Sequence, residues 1–363
     1  MTGQKITVVY GSSPREMTHK ALEATDPFAE LPPGNRIGLK PNLVKPKPSS
    51  SGATTSPEII RAIIEHLNER GHYDIVILEG SWTGNRTEEA FRACGYEEIS
   101  ATFDVPLINL QNDPAKKIKC HRKLSLNVSE KALALDCLVN VPVLKAHCQT
   151  KLTCALKNLK GCIPDKEKKR FHSLGLHEPI AYLNRILKNY LIIVDGIMGD
   201  LTHEGGGDPV EMGRILAGRD PVLIDSYAAS LIGYRVEDIP YIKMAHELGV
   251  GELFHKNIPR EELDKDKMPA VSIEASDKAA YLAQWIEESE ACSPCYGSLV
   301  HALQRLEESG ELKKLKESIF IGRGFKNTPN DGWGIGSCTQ DCTYNLPGCP
   351  PDSREIVDFL RSR

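Results

Sequence analysis

Cysteine is the first chemistry this chain offers: it has eleven, and five are bunched near the C-terminus. Cys292-Ser293-Pro294-Cys295 forms one group; Gly336-Ser337-Cys338, Cys342 and Gly348-Cys349-Pro350-Pro351 form another. Thiolates in two separated groups suit a four-coordinate site, and a cysteine followed by proline recurs around iron–sulfur clusters, where proline stiffens the chain leaving the metal. Zinc uses similar spacings. Cys342 has neither glycine nor proline beside it, so the expected metal ligands are Cys292, Cys295, Cys338 and Cys349. The expected occupant is a [4Fe–4S] cluster, with zinc as the alternative. The other six, Cys94, Cys120, Cys137, Cys148, Cys154 and Cys162, are expected to behave as small buried hydrophobes.

A second constellation is cationic. Lys145, His147, Thr153, Lys157, Asn158 and His172 fall within one short stretch. A histidine titrating near neutrality and a lysine whose pKa is lowered by neighbouring cations can share acid, base or covalent work. Lys145, His147, Lys157, Asn158 and His172 are therefore the expected catalytic residues. Lys40-Pro41-Asn42 follows a strand-like run, and Glu204-Gly205-Gly206-Gly207-Asp208-Pro209 lets a backbone approach a ligand closely. Lys40, Asn42, Gly205, Gly206 and Gly207 are the expected binding residues for a nucleotide-type or other anionic small molecule. The Gly11-Ser12-Ser13 turn reads equally as a phosphate cradle or an ordinary connection.

Positioning these groups requires alternating strands and helices. Ile6–Tyr10, Arg36–Leu39, Tyr73–Leu78, Val105–Leu110, Ala134–Leu144 and Leu191–Val194 read as strands; Met17–Thr25, Pro57–Arg70, Arg86–Cys94, Leu152–Gly161, Pro179–Lys188 and Val222–Ile232 read as helices. The alternation predicts an α/β fold of mostly parallel sheets with helices on both faces. Lys145 and His147 would then lie beyond a strand's carboxyl end, where such sheets bind ligands. Asp165–His177 reads as a basic loop and Ile118–Leu126 as a hairpin piece. Charge is dense and apolar content low at Glu261–Pro269, which divides an α/β domain over 1–265 from a cysteine-bearing iron–sulfur region over 266–363. In the second part Ala270–Ile273 and Ser318–Ile321 read as strands, and Ala279–Glu288 and Ser353–Arg361 as helices. Gly322–Gly336 reads as a glycine-rich loop. Leu299, Ala302, Leu303 and Leu306 have helical spacing, which sets Cys292 and Cys295 at a helix N-terminus.

With 363 residues, 40% hydrophobic, 26% charged and a net charge of −4, the chain reads as globular, and no basic face points to nucleic acid. No apolar run approaches the roughly 18 residues of a membrane span, and no N-terminal signal pattern is present, so a cytoplasmic location with reduced thiols is expected. The expected partners are a small anionic substrate, a redox partner such as a ferredoxin, and a second copy in a homodimer, with neither nucleic acid nor membrane.

The chain resembles the domain-of-unknown-function 362 family, which is associated with iron–sulfur proteins. The residues that carry this are Lys40-Pro41-Asn42-Leu43, Val143-Leu144-Lys145-Ala146-His147, Ala155-Leu156-Lys157-Asn158-Leu159-Lys160-Gly161, Asp195-Gly196, Gly218-Arg219-Asp220-Pro221 with Asp225, and Gly348-Cys349-Pro350-Pro351. The resemblance implies an α/β domain with an iron–sulfur site. A weaker similarity reaches lactate racemase-like proteins, whose cofactor lysine and flanking histidines resemble His147, Lys157 and His172 in spacing. Thr153-Cys154-Ala155-Leu156 replaces the glycine-rich surroundings of that lysine. The leading expectation is an oxidoreductase of low-oxygen habit, passing electrons from the cluster to an anion in the Lys/His pocket. The alternatives are a non-catalytic electron-transfer or maturation partner, and a racemase-like non-redox enzyme with a structural zinc site of four cysteines.

Overall fold

The computed structural model describes residues 5–202, 204–269, 281–315 and 317–362. In chain order, the strands of the first part are β1 (Ile6–Tyr10), β2 (Arg36–Lys40), β3 (Asp74–Glu79), β4 (Leu107–Asn109), β5 (Ala115–Lys119) and β6 (Ser125–Ser129). There follow β7 (Cys137–Asn140), β8 (Lys145–His147), β9 (Lys151–Thr153), β10 (Leu191–Asp200), β11 (Pro209–Gly218) and β12 (Arg260–Leu263). Eight of them form one sheet in the order β12-β1-β11-β10-β7-β2-β3-β4. Only the β1–β11 and β10–β11 pairings are antiparallel, so the fold is α/β with a mostly parallel sheet.

Successive strand residues serve opposite faces. Val9, Ile37, Leu39, Ile75, Ile77 and Val139 enter one core with helices Pro14–Thr25 and Pro57–Arg70. Val8, Val76, Leu78, Leu138 and Val194 enter the other with helices His177–Ile186 and Pro221–Leu231. Both faces are covered, as a largely parallel sheet requires.

The second part has its own core, built from helices Ser293–Glu308 and Ser353–Arg361 around a four-stranded sheet. Its strands, β13 (Ile286–Glu288), β14 (Ile319–Ile321), β15 (Asn330–Ile335) and β16 (Cys342–Leu346), are all parallel and neighbour one another in that order.

Five local expectations are corrected. The single strand over Ala134–Leu144 is interrupted, because Pro142 has no N–H for the ladder; after it, β8 leaves the main sheet and pairs with β9. The helix foreseen over Leu152–Gly161 shrinks to Ala155–Asn158 plus a 3-10 turn at Leu159–Cys162. Asp165–Leu174 is a helix, begun by Pro164 with Asp165 and Glu167 in its first turn. The loop over Gly322–Gly336 contains β15; Gly334 is needed there because a Cβ would come 2.6 Å from the Thr339 carbonyl oxygen. The Ile118–Leu126 piece is part of a hairpin, β5 with β6. The strand expected at Ala270–Ile273 and the start of the Ala279–Glu288 helix lie outside the described residues. From 283 onward that helix is replaced by a 3-10 turn and β13.

Candidate functional site

The parallel arrangement of the small sheet gathers chemistry at one end. Cys292 and Cys295 follow β13, Cys338 follows β15, and Cys349 follows β16, so all four lie beyond carboxyl ends of strands. Arg323 follows β14 at the same end. Cys342 begins β16 and lies at the opposite end. Burial raises the Cys292 thiol pKa; Arg323 opposes this, and Cys349 and Cys338 add to it. Burial, then Cys292, Cys349 and Cys338, pushes Cys295 up to about 12. Cys338 is raised by burial and by Cys349. Crowded thiols resist ionising together, and a cationic centre among them reverses that penalty. Cys349 is exposed while the other three are half-buried, so one edge of the group faces solvent.

The cationic constellation lies beyond the carboxyl ends of β2 and β3 in the large sheet. Lys40 is wholly buried and gives its ammonium protons to Glu79 (2.8 Å), the Pro41 carbonyl (2.6 Å) and Asn158 (3.0 Å). Asn158 Oδ1 also accepts from Asn42 at 2.8 Å, and its amide donates to Asn140 Oδ1 at 2.7 Å. These partners use the hydrogen-bonding capacity of Lys40 and Asn158. Both reach the cavity wall, yet they act by holding the frame. Gly161 belongs to the same frame: a Cβ there would come 1.9 Å from Glu79 Oε1.

A cavity of about 60 Å³, room for several waters, opens above this frame. Its wall includes Lys145, Lys157, Lys160, His172, Glu204 and Cys292, so the lysine group and the first cysteine share one space. Burial, then Lys157, lowers Lys145 to about 7. Burial lowers Lys157 to about 8, against the pull of Glu204. His172 is held well below its usual range by burial and by Lys160 and Lys157. Such a pocket is primed for an anion, which would return charge to lysines that burial has discouraged from keeping it.

His147 does not line this cavity; it lies behind Glu204, fully buried. Its Nδ1 accepts N–H bonds from Gln149 (3.0 Å) and Thr150 (3.2 Å), so the neutral ring carries hydrogen on Nε2. Nε2 lies 3.3 Å from Glu204 Oε1 but out of line, and has no hydrogen-bond partner among the described residues. His147, Cys148 and Glu204 each place one ligand atom within 4.8 Å of the others, close enough to hold a metal ion. That ion would have to displace the Nε2 proton, because the two backbone donors occupy Nδ1.

Gly205, Gly206 and Gly207 are not in the cavity wall. Gly206, at φ +68°, packs on the Ser51 carbonyl, which a Cβ would approach to 2.6 Å, and its own carbonyl accepts from Lys47 at 2.9 Å. Glu204, beside that run, is the functional-site residue that sequence reasoning passed over; its place at the head of a glycine-rich turn was the available signal. Asp225 was seen as a motif residue without a task. It accepts the N–H groups of Ala155 (2.7 Å) and Leu156 (3.1 Å), starting the helix that carries Lys157.

The two parts meet along this wall. Gln149 donates to Glu288 (2.9 Å) and the Ala291 carbonyl (3.1 Å), and accepts from Ser293 (2.7 Å). A Cβ on Gly84 would come 2.7 Å from Pro350 and 3.0 Å from the Cys349 carbonyl oxygen.

A family described as Domain of unknown function (DUF362) matches residues 37–230. A thylakoid-associated protein from Synechocystis sp. is 28% identical over 255 residues, 66% of this chain and 78% of the relative. Among solved structures, the lactate racemase apoprotein from Thermoanaerobacterium thermosaccharolyticum aligns at TM-score 0.42 and 14% identity over 64% of this chain. A protein from Thermotoga maritima aligns at TM-score 0.40 and 12% identity over 66% of this chain. This chain spans 57% and 60% of those two, less than two thirds of either.

Proposed function

The chain belongs to the DUF362 family, and on that premise we propose that it is an iron–sulfur oxidoreductase. A [4Fe–4S] cluster held by Cys292, Cys295, Cys338 and Cys349 would exchange electrons with a small anion bound by Lys145, Lys157, Lys160 and His172. The observation that carries this reading is the shared cavity wall, which joins Lys157 and His172 to Cys292. The cluster would supply single electrons at a potential set by its thiolates and the charge around them. The chain's own groups do the rest. Lys145 and Lys157 neutralise the bound anion, His172, kept neutral by burial and by Lys160 and Lys157, can accept a proton at the cavity wall, and Glu204 favours the charged form of the lysines. Lys40, Glu79 and Asn158 keep the floor rigid, and the Cys148 N–H, donating at 3.2 Å, orients Glu204 from behind.

Zinc on the same four cysteines is the alternative occupant. We propose a ferredoxin-like redox partner and a cytoplasmic setting. Among the described residues, no helix is long and apolar enough to cross a membrane.

The deciding experiment is anaerobic purification with iron, sulfide and zinc analysis, followed by visible absorption and spin-resonance spectra before and after reduction. Iron and sulfide in equal amounts, with a colour that bleaches on reduction, are expected. A colourless protein holding zinc and no iron would sink the reading.

A further inference from the structure

The hairpin β5–β6 carries a feature that the candidate site does not use. Lys116, Lys117, Lys119, Arg122 and Lys123 are all exposed, and no carboxylate occurs between Asp113 and Glu130. None of the five forms an ion pair among the described residues, whereas the nearby His121 faces Glu178 at 3.2 Å. The patch is rigidly mounted: Leu124, Leu126 and Val128 are buried in the core that holds Val8, Val76 and Leu138, and Asn127 Nδ2 donates to Glu167 at 2.7 Å. Lys117 and Lys119, with Arg122 and Lys123 in the turn, thus project unpaired on one side of a fixed arm, Lys116 lying on the other face beside Ile118, from a chain whose net charge is −4.

We propose that this hairpin docks the protein on an anionic lipid surface. Lysines on an edge strand also guard against unwanted strand pairing. That accounts for Lys116, Lys117 and Lys119 on β5, but Arg122 and Lys123 lie in the turn, where there is no edge to guard. A protein partner of stable size calls for an apolar centre, and the large apolar residue among the cations is a half-buried Ile118. Single-stranded nucleic acid calls for aromatic stacking, and residues 115–129 contain no aromatic ring but His121. A lipid headgroup plane needs charge alone, and its pull fades within a Debye length. A projecting cationic arm meets that requirement while the acidic body stays back. The lack of a membrane-spanning helix among the described residues does not bear on such a surface contact.

The test is co-sedimentation of the full chain with phosphatidylcholine vesicles, with and without phosphatidylglycerol. Wild-type protein should sediment only with the phosphatidylglycerol vesicles and come off as salt is raised to about 1 M. Each cation near such a surface strengthens binding about fivefold, so the triple variant Lys117→Glu, Lys119→Glu, Lys123→Glu should lose more than about a hundredfold. Circular dichroism should be unchanged, since all three side chains are exposed. Absence of sedimentation, equal sedimentation of the variant, or displacement of bound protein by a small excess of an acidic protein or duplex DNA would each overturn the proposal. The edge-guard explanation alone predicts aggregation of the variant and no vesicle binding by the wild type.

Discussion

Lys145 and Lys157 make the cavity's affinity for anions depend on pH. Each is charged below its lowered pKa, about 7 and about 8, and neutral above it. Binding of phosphate, measured by calorimetry, should therefore be strongest below pH 7 and weaken as pH rises through about 7 and then about 8. Lys157→Met should abolish the second step. Affinity that ignores pH across this window would remove the lysines from the binding site. Stability moves the other way. An unfolded lysine keeps its proton to the usual 10.5, while folded Lys145 releases it near 7, so the unfolded chain binds more protons between these values. Stability from this group should rise with pH across that interval. The sequence showed which cations cluster, but not which are already used: Lys40 and Lys157 look alike in the chain, yet Lys40 is consumed by Glu79, Pro41 and Asn158.

At the scale of elements, the short helix Ala155–Asn158 depends on one distant carboxylate. Asp225→Ala would leave the buried N–H groups of Ala155 and Leu156 without their acceptor, at about 1–3 kcal/mol each. A loss of roughly 2–6 kcal/mol in denaturant unfolding is expected, together with weaker phosphate binding, because Lys157 loses its fixed placement. An unchanged midpoint would show that the carboxylate is dispensable. The four parallel strands of the second part give a matching prediction for the metal. Cys349→Ser should lower iron content sharply, whereas Cys342→Ser, at the opposite strand end, should leave it intact; equal losses would mean that strand polarity does not select the ligands. Elements with an apolar period were legible in the chain, since both faces of the large sheet are covered. Helix Asp165–Leu174 was hidden because charge dominates it and Phe171 is its one wholly buried apolar residue. β15 was hidden because Gly332 and Gly334 are there to admit neighbouring chain rather than to fill a core.

At the scale of the molecule, the two sheets direct carboxyl ends at one seam, and this decides whether the chain has one site or two. The candidate ligands and the lysines were visible in sequence as separate groups; their adjacency was not, because it depends on contacts between residues more than a hundred positions apart, such as Gln149 with Ala291 and Ser293. If the shared wall is functional, phosphate added to the iron-loaded protein should alter the cluster's visible or spin-resonance spectrum, with a midpoint matching the calorimetric affinity. Gln149→Ala removes three hydrogen bonds across the seam without backbone strain, leaving those of Ser173 with Glu290 and Arg323, and Gly84→Val forces a side chain toward Pro350 and Cys349. Gln149→Ala should keep its iron, because it touches none of the four thiol-bearing residues, and should show a smaller spectral response at saturating phosphate; Gly84→Val presses on Cys349 and should lose iron as well. A wild-type spectrum indifferent to phosphate would separate the two sites, leaving a cluster and an anion pocket that are neighbours by folding alone. A response that survives in Gln149→Ala would place the coupling elsewhere, with Lys160 the next candidate, since it shares the cavity wall with Cys292.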